Sequence, residues 1–452
     1  MKLFDNPETD RKFGRMQWRV LFATLIGYTL FYFMRKNFSF AMLGLEQDCG
    51  VSKSMLGNFL FCGGIVYGLS KFLNGIVGDR VKPRKMFLVG LLACVLVNVA
   101  FGFVPEIVGG NAKAMVWAFG ILLVLNQFFQ GTGFPPCAKL IAFWVPPKEL
   151  ATKMSVWNTS HSIGGGLVAK ACGVIMGLGA IGAANQGAGM WRWCFWAMAI
   201  LGAAGFLLML FWLPGTPKEE GLPDLPGTEN CAAPGDADAG GAGGSRAATA
   251  AEMVFLNPVI WMLGLSNFTI NAVRALVADW GPTMLQEAKG LAPGEAGTVI
   301  MLFEFAGIAG MLFSGWATDR FFGGRAPRLC VFLMILAAAL FGAFWILPAG
   351  IAGGAAICLA GFCLYGPQAL TGVTATNIAT KRFAGTSIGF ISLFSYAGVS
   401  VAGKVFGSLA QSTGAWRLPL VVTVSTAFAG ATLFACLWRT RPDGYEAQKG
   451  KI

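Results

Sequence analysis

Long apolar runs alternate with short polar connections twelve times along the chain. The runs cover roughly 20–42, 56–78, 86–104, 115–135, 151–175, 193–213, 258–284, 296–318, 329–347, 353–377, 385–410 and 416–438. Each holds about 20 residues, the length at which a helix rising 1.5 Å per residue crosses a hydrocarbon layer about 30 Å thick. Lipid offers no partner to a bare N–H or C=O, so such runs read as helices. The pattern predicts an all-α membrane protein with twelve transmembrane helices. The first run is too long for a cleavable signal segment and follows a polar start, so no removable signal peptide is expected.

Composition agrees with a lipid environment. The 452 residues are 55% hydrophobic and only 12% charged, with a mean hydropathy of +0.63, whereas soluble domains carry about 25% charged residues. The net charge of +12 could suggest nucleic acid, but its distribution points elsewhere. With the N-terminus placed in the cytoplasm, five of the 34 Lys and Arg fall outside: Lys53, Lys113, Arg192, Lys289 and Arg417. Six lie within the runs, more than three residues from either end, and the remaining 23 fall on the cytoplasmic side. That asymmetry is the positive-inside pattern. It predicts a multi-pass membrane protein with both termini cytoplasmic, and no nucleic-acid partner. The eleven Cys show no C-x-x-C and no metal-like spacing, so they read as small packing residues; no metal and no cofactor are expected.

A stretch from Pro214 to Ala251, rich in Pro, Gly and acids, reads as a flexible linker. It sets the expected organisation: a tail over 1–19, a six-helix lobe over 20–213, the linker over 214–257, a second six-helix lobe over 258–438 and a tail over 439–452. The halves resemble each other. "GIVGDRVKPRK" (75–85) follows segment two, and "GWATDRFFGGRAPR" (315–328) follows segment eight. Asp79 and Asp319 are 240 residues apart, Arg35 and Arg274 are 239 apart, and "HSIGGGLVAK" (161–170) aligns with "SYAGVSVAGK" (395–404). Such duplication marks a two-lobed transporter whose substrate site lies at mid-membrane. The pairs Asp79–Arg80 and Asp319–Arg320 resemble the loop motif of the major facilitator superfamily and are expected to gate the cytoplasmic side.

The charges inside the runs carry the chemistry. A cation at mid-bilayer costs about 2.5–3.5 kcal/mol on the translocon scale. Lys170 and Lys404 lie near segment ends and can snorkel; Lys71 fits either a snorkelling or a functional role. Arg35 and Arg274 are about fifteen and sixteen residues into their segments, too deep for that escape. Their matched depth predicts a shared site. Two guanidiniums about 10 Å apart repel by roughly 1.7 kcal/mol at an effective dielectric of 20. A dianion reverses the sign, and the guanidinium fork suits phosphate oxygens. Carboxylate substrates fit the same electrostatics. The acids Asp279 and Glu304 need partners, and Lys36 is assigned to them as a switchable ion-pair set, with a static pair as the alternative. His161, the one histidine, sits among Asn158, Thr159, Ser160 and Ser162 and is expected as a third phosphate contact. Tyr32, Tyr67, Tyr365 and Tyr396 lie within segments, away from the interface where Tyr collects, and are expected to line a polar cavity.

The stretches "GYTLFYFMRKNFSFAM", "YGLSKFLNGIVGDR", "FFQGTGFPPCAKL", "SVWNTSHSIGGG", "RALVADWGPTML" and "LYGPQALTG" closely resemble the organophosphate:phosphate antiporter family of the major facilitator superfamily. That family includes glycerol-3-phosphate and hexose-phosphate exchangers and a related hexose-phosphate receptor. The resemblance implies the twelve-helix, two-lobed fold and makes Arg35, Arg274 and His161 the phosphate ligands. It makes Lys36, Asp279 and Glu304 the charged switch, and Lys71, Tyr32, Tyr67, Trp157, Asn158, Tyr365 and Tyr396 the cavity lining. Phe134 stands where glycerol-phosphate members carry Trp, and Lys404 resembles an extra lysine of hexose-phosphate carriers, about two residues out of register. The expected function is exchange of an organophosphate, favouring a hexose 6-phosphate such as glucose 6-phosphate, for inorganic phosphate by a monomer. Glycerol-3-phosphate exchange and a transporter-like receptor are the alternatives. No nucleotide loop or nucleophile constellation points to an enzyme.

Overall fold

A computed structural model describes Phe4 and residues 6–182, 189–225, 254–379 and 384–440. Most of the expected linker, 226–253, and most of the C-terminal tail, 441–452, lie outside the described residues, as does the Asp79 side chain. The described chain is helical. Its first half holds α1 (Pro7–Cys49), α2 (Lys53–Arg80), α3 (Pro83–Gly102), α4 (Val104–Ile107) and α5 (Ala112–Gln130). These continue into α6 (Phe134–Trp144), α7 (Pro147–Asn158), α8 (Ser160–Gly182) and α9 (Trp191–Trp212). The second half holds α10 (Pro258–Ala278), α11 (Gly281–Lys289), α12 (Pro293–Phe322) and α13 (Ala326–Ile346). It ends with α14 (Ile351–Ile378), α15 (Ala384–Thr413) and α16 (Arg417–Cys436).

Among the described residues, eleven stretches are long and apolar enough to cross a membrane, with α5–α6 and α7–α8 each counting as one. The first expected segment lies within α1, whose Arg35, Lys36, Asn37 and Ser39 dilute its apolar character. Local signals explain several helix ends. Asn257 caps α10 by accepting from the Val259 N–H at 3.0 Å, and Pro258 occupies the first turn, where a missing N–H costs nothing. Segment seven was expected to run to 284; instead α10 stops at Ala278 and α11 starts at Gly281, where Pro282 has no N–H to continue the helical ladder.

The chain forms two compact units that cut across the sequence halves. One comprises 1–38, 66–168 and 192–244; the other comprises 39–65, 169–191 and 245–452. Within the first, α1 starts thirteen residues earlier than the apolar pattern suggests, at Pro7. Gln17 donates to the Trp144 carbonyl at 2.9 Å and Arg19 to the carbonyls of Trp212 and Phe211 at 2.8 and 2.9 Å. These bonds hold a polar extension that apolar periodicity does not register. Within the second unit, Lys53 pairs with Glu46 at 2.7 Å and Glu287 at 2.9 Å. The Lys170 ammonium donates to the Thr298 hydroxyl at 2.7 Å. Helix α10 packs on α15 and α16, and α14 on α12 and α13, which sets the scaffold for Arg274.

Candidate functional site

In the first unit Arg35 projects from a helix fixed in place by buried amides. The Met34 carbonyl accepts from Asn126 at 2.8 Å and Asn98 at 3.3 Å, and the Phe31 carbonyl accepts from Gln130 at 2.9 Å. Asn37 donates to Asn98 at 2.7 Å. Amides this deeply buried are costly unless bonded; bonded, they lock the turn that carries Arg35 against α3 and α5. The Arg35 guanidinium lies 3.8 Å from the centre of the Tyr67 ring and 5.6 Å from that of Tyr32. Two aromatic faces therefore stabilise the cation.

His161 lies 5.9 Å, ring to ring, from Tyr32. It sits just past a break: α7 ends at Asn158, α8 begins at Ser160, and the His161 Nδ1 contacts the Asn158 carbonyl oxygen. Broken helices with freed backbone groups are tolerated in membranes where they line a site. Asn158 itself is exposed, whereas Trp157 is fully buried between Tyr28 (4.9 Å) and Phe134 (5.5 Å). Trp157, expected on the cavity wall, packs against these two rings. Lys71 places its ammonium 4.1 Å from the centre of the Phe134 ring. Tyr28 was missed by sequence reasoning. Its spacing of four from Tyr32 puts the two phenols on one helix face, and the rings meet at 5.5 Å.

In the second unit Arg274 is caged similarly and pairs with a carboxylate. Its guanidinium lies 4.5 Å from the centre of the Tyr365 ring and pairs with Glu304 at 3.3 Å. Tyr365 donates its phenolic proton to the other Glu304 oxygen. Glu304 is 3% exposed, so both carboxylate oxygens are satisfied where water scarcely reaches. The sequence reading gave Glu304 to Lys36; here it holds Arg274. Asp279 is buried at the end of α10, Lys36 and Tyr396 are half-buried, and Arg80, Asp319 and Arg320 are exposed. No ion pair among the described residues involves Arg80, Asp319 or Arg320. Lys404 is exposed, with its ammonium 5.3 Å from the Phe61 ring centre.

The two arginine helices are seated by matching close approaches. A Cβ at Gly164 of α8 would fall 3.0 Å from the Thr29 carbonyl oxygen of α1, and one at Gly398 of α15 would fall 2.4 Å from the Phe268 carbonyl oxygen of α10. Gly398 follows Gly164 by 234 residues and Phe268 follows Thr29 by 239, the offsets that relate the sequence halves. Ser395, aligned with His161, accepts from Asn267 at 2.5 Å. The duplication read in the sequence thus recurs as duplicated packing in each unit.

Residues 24–403 match the model of the Major Facilitator Superfamily. The chain is 32% identical to the glycerol-3-phosphate transporter of Bacillus subtilis, over 96% of this chain and 95% of that one. It is 34% identical to the membrane sensor protein UhpC of Salmonella typhimurium (88% and 86%) and 32% identical to a probable hexose phosphate transport protein of Chlamydia pneumoniae (96% and 94%). Among solved structures, a bacterial homologue of the human lysosomal transporter Spinster matches with a TM-score of 0.72, 16% identity and coverage of 93% and 97%. The chain is a multi-pass membrane protein of the Major Facilitator Superfamily and, within it, belongs to the organophosphate transporter family rather than to any class of enzyme.

Proposed function

We propose that this protein exchanges an organophosphate for inorganic phosphate across the bacterial inner membrane by alternating access of the lobes at 20–213 and 258–438, as a monomer with both termini cytoplasmic. The observation that carries the reading is the pair of arginines at matching positions, each stacked on a buried tyrosine. Arg35 and Arg274 grip phosphoryl oxygens through their forks, and His161, near Tyr32, adds a third contact.

The Glu304 pairing supplies a reason for obligatory exchange. An empty carrier keeps Arg274 neutralised by Glu304, which holds the second unit in one arrangement. A phosphate competes for the same guanidinium and frees Glu304, which Lys36 and Asp279 then join as the charged switch. Lys71, Tyr32, Tyr67, Tyr365, Tyr396 and Asn158 face the substrate, and the loop pairs Asp79–Arg80 and Asp319–Arg320 close the cytoplasmic side.

Within this reading the substrate is a hexose 6-phosphate such as glucose 6-phosphate. Phe134 supports it: its smaller ring under Lys71 leaves more room than the Trp of glycerol-phosphate carriers. A second reading, a receptor for hexose phosphate, is favoured by the likeness to the membrane sensor. The test is inhibition of phosphate self-exchange in proteoliposomes by glucose 6-phosphate, glycerol 3-phosphate, phosphoenolpyruvate and 3-phosphoglycerate. Glucose 6-phosphate is expected to inhibit at the lowest concentration. Preference for another compound would overturn the substrate, and absence of any phosphate self-exchange would favour the receptor.

A further inference from the structure

A groove within the first unit, between α3 and α9, lies apart from the arginine site. At one end it opens into a cavity of about 620 Å³, with Lys82, Arg84 and Lys85 at the rim and Leu88, Val89 and Leu92 beneath them, facing Phe206 and Leu210 of α9. Towards the other end lies an apolar cavity of about 330 Å³ between Val99 of α3, Phe103 just past its end, and Trp193, Trp196 and Ile200 of α9. Arg84 and Phe103 are nineteen residues apart, about 28 Å along a helix, which is close to the thickness of bilayer hydrocarbon.

The rim also carries two acids, Glu219 and Glu220, and both are engaged. Glu219 pairs with Lys82 at 2.8 Å and accepts from the Thr216 N–H at 3.1 Å; Lys82 holds its carboxyl below the usual range. Glu220 accepts from the Gly215 N–H at 2.9 Å. Three cations against two carboxylates leave the rim with a net positive charge, carried by Arg84 and Lys85, neither of which is in an ion pair among the described residues. Arg84 donates one guanidinium N–H to the Leu210 carbonyl at 2.6 Å, while its buried Nε has no hydrogen-bond partner. Lys85 is exposed and forms no ion pair among the described residues.

We infer that this groove binds one anionic phospholipid, with the phosphodiester on Arg84 and Lys85 and an acyl chain along Leu88, Val89 and Leu92. A rim of net positive charge at the end of a membrane span selects an anionic headgroup, and basic pockets between such helices suit one. A soluble anion would not need the floor, where Val89 is 56% and Leu92 38% exposed; acyl chains cover such surface at about 25 cal/mol per Å². The inference rests on the membrane placement of α3 and α9, not on the identity of the transported substrate.

The test uses the full chain, purified in detergent and delipidated, titrated with dioleoyl phosphatidylglycerol and with dioleoyl phosphatidylcholine, and followed by native mass spectrometry. One net surface cation contributes about five-fold to the affinity for an anionic lipid, so the phosphatidylglycerol is expected to bind one copy about five-fold more tightly than its zwitterionic counterpart. Lys85→Gln is expected to lower that preference about five-fold with an unchanged melting temperature in detergent. Val89→Trp, which obstructs the groove without altering charge, is expected to weaken both lipids. Equal affinity for the two lipids, or a preference untouched by Lys85→Gln, would overturn the assignment. Displacement of phosphatidylglycerol by millimolar inorganic phosphate at constant ionic strength would also overturn it, by making the rim a site for free anions. Arg84→Gln serves as a further variant, and Lys85→Gln alone decides the matter if it fails to fold.

Discussion

Replacing Glu304 by Gln isolates the competition between carboxylate and substrate for Arg274. Gln keeps an oxygen that can accept the Tyr365 phenol, and it removes only the charge. The ion pair at 3.3 Å carries a Coulombic attraction of about 5 kcal/mol at an effective dielectric of 20. Any phosphate that binds Arg274 must give back part of that energy, less whatever Glu304 regains on hydration. A net relief of only about 1.4 kcal/mol already corresponds to ten-fold in affinity. The variant is therefore expected to bind inorganic phosphate at least about ten-fold more tightly by isothermal titration of purified protein. It is also expected to exchange phosphate more slowly, since the empty carrier has lost its neutral state. Breaking a buried pair from one side costs about 3–5 kcal/mol, so Glu304→Gln should melt early in phosphate-free buffer and recover more than wild type when phosphate is added. Unchanged or weakened phosphate affinity in a folded variant would refute the reasoning, because Glu304 would then not compete for Arg274.

Three further outcomes follow from the same geometry. Arg35→Lys and Arg274→Lys keep the charge but lose the fork; with charge-assisted hydrogen bonds contributing about 1.5–3 kcal/mol, exchange is expected to fall by roughly ten- to a hundred-fold in each, and wild-type rates in both would contradict the clamp. Gly398→Val forces a side chain to within 2.4 Å of the Phe268 carbonyl oxygen, so α15 must shift off α10, with an expected cost of about 1–3 kcal/mol seen as a lower melting temperature. Phe134→Trp puts a better cation–π ring beneath Lys71 and narrows the site, and inhibition of phosphate self-exchange should shift a few-fold from glucose 6-phosphate towards glycerol 3-phosphate.

Much of the fold is legible in the sequence because lipid imposes one rule on every span: apolar for about 20 residues and helical. What that rule omits was not legible. The start of α1 is polar and is held by Gln17 and Arg19 reaching carbonyls more than a hundred residues away, which no local pattern encodes. The break after Asn158 has no Pro or Gly at the junction to announce it. Arg35 and Arg274 stood out through depth and duplication, and the matched glycine contacts of α8 and α15 carry that duplication into packing. The partner of Glu304 did not stand out: Arg274 lies thirty residues away on another helix, and charge alone suits Lys36 as well. Trp157 was assigned to a cavity wall by resemblance, yet the Tyr28 and Phe134 rings enclose it. Tyr28, one turn from Tyr32, was available from helical spacing alone.

The most direct test of obligatory exchange is counterflow. Purified protein is reconstituted into liposomes loaded with inorganic phosphate, and labelled glucose 6-phosphate is added outside. The account predicts accumulation that requires internal phosphate, that saturates, and that is roughly ten- to a hundred-fold slower in the Arg35→Lys and Arg274→Lys variants. Binding of the label without flux, or uptake that is indifferent to internal phosphate and follows a pH gradient, would contradict it.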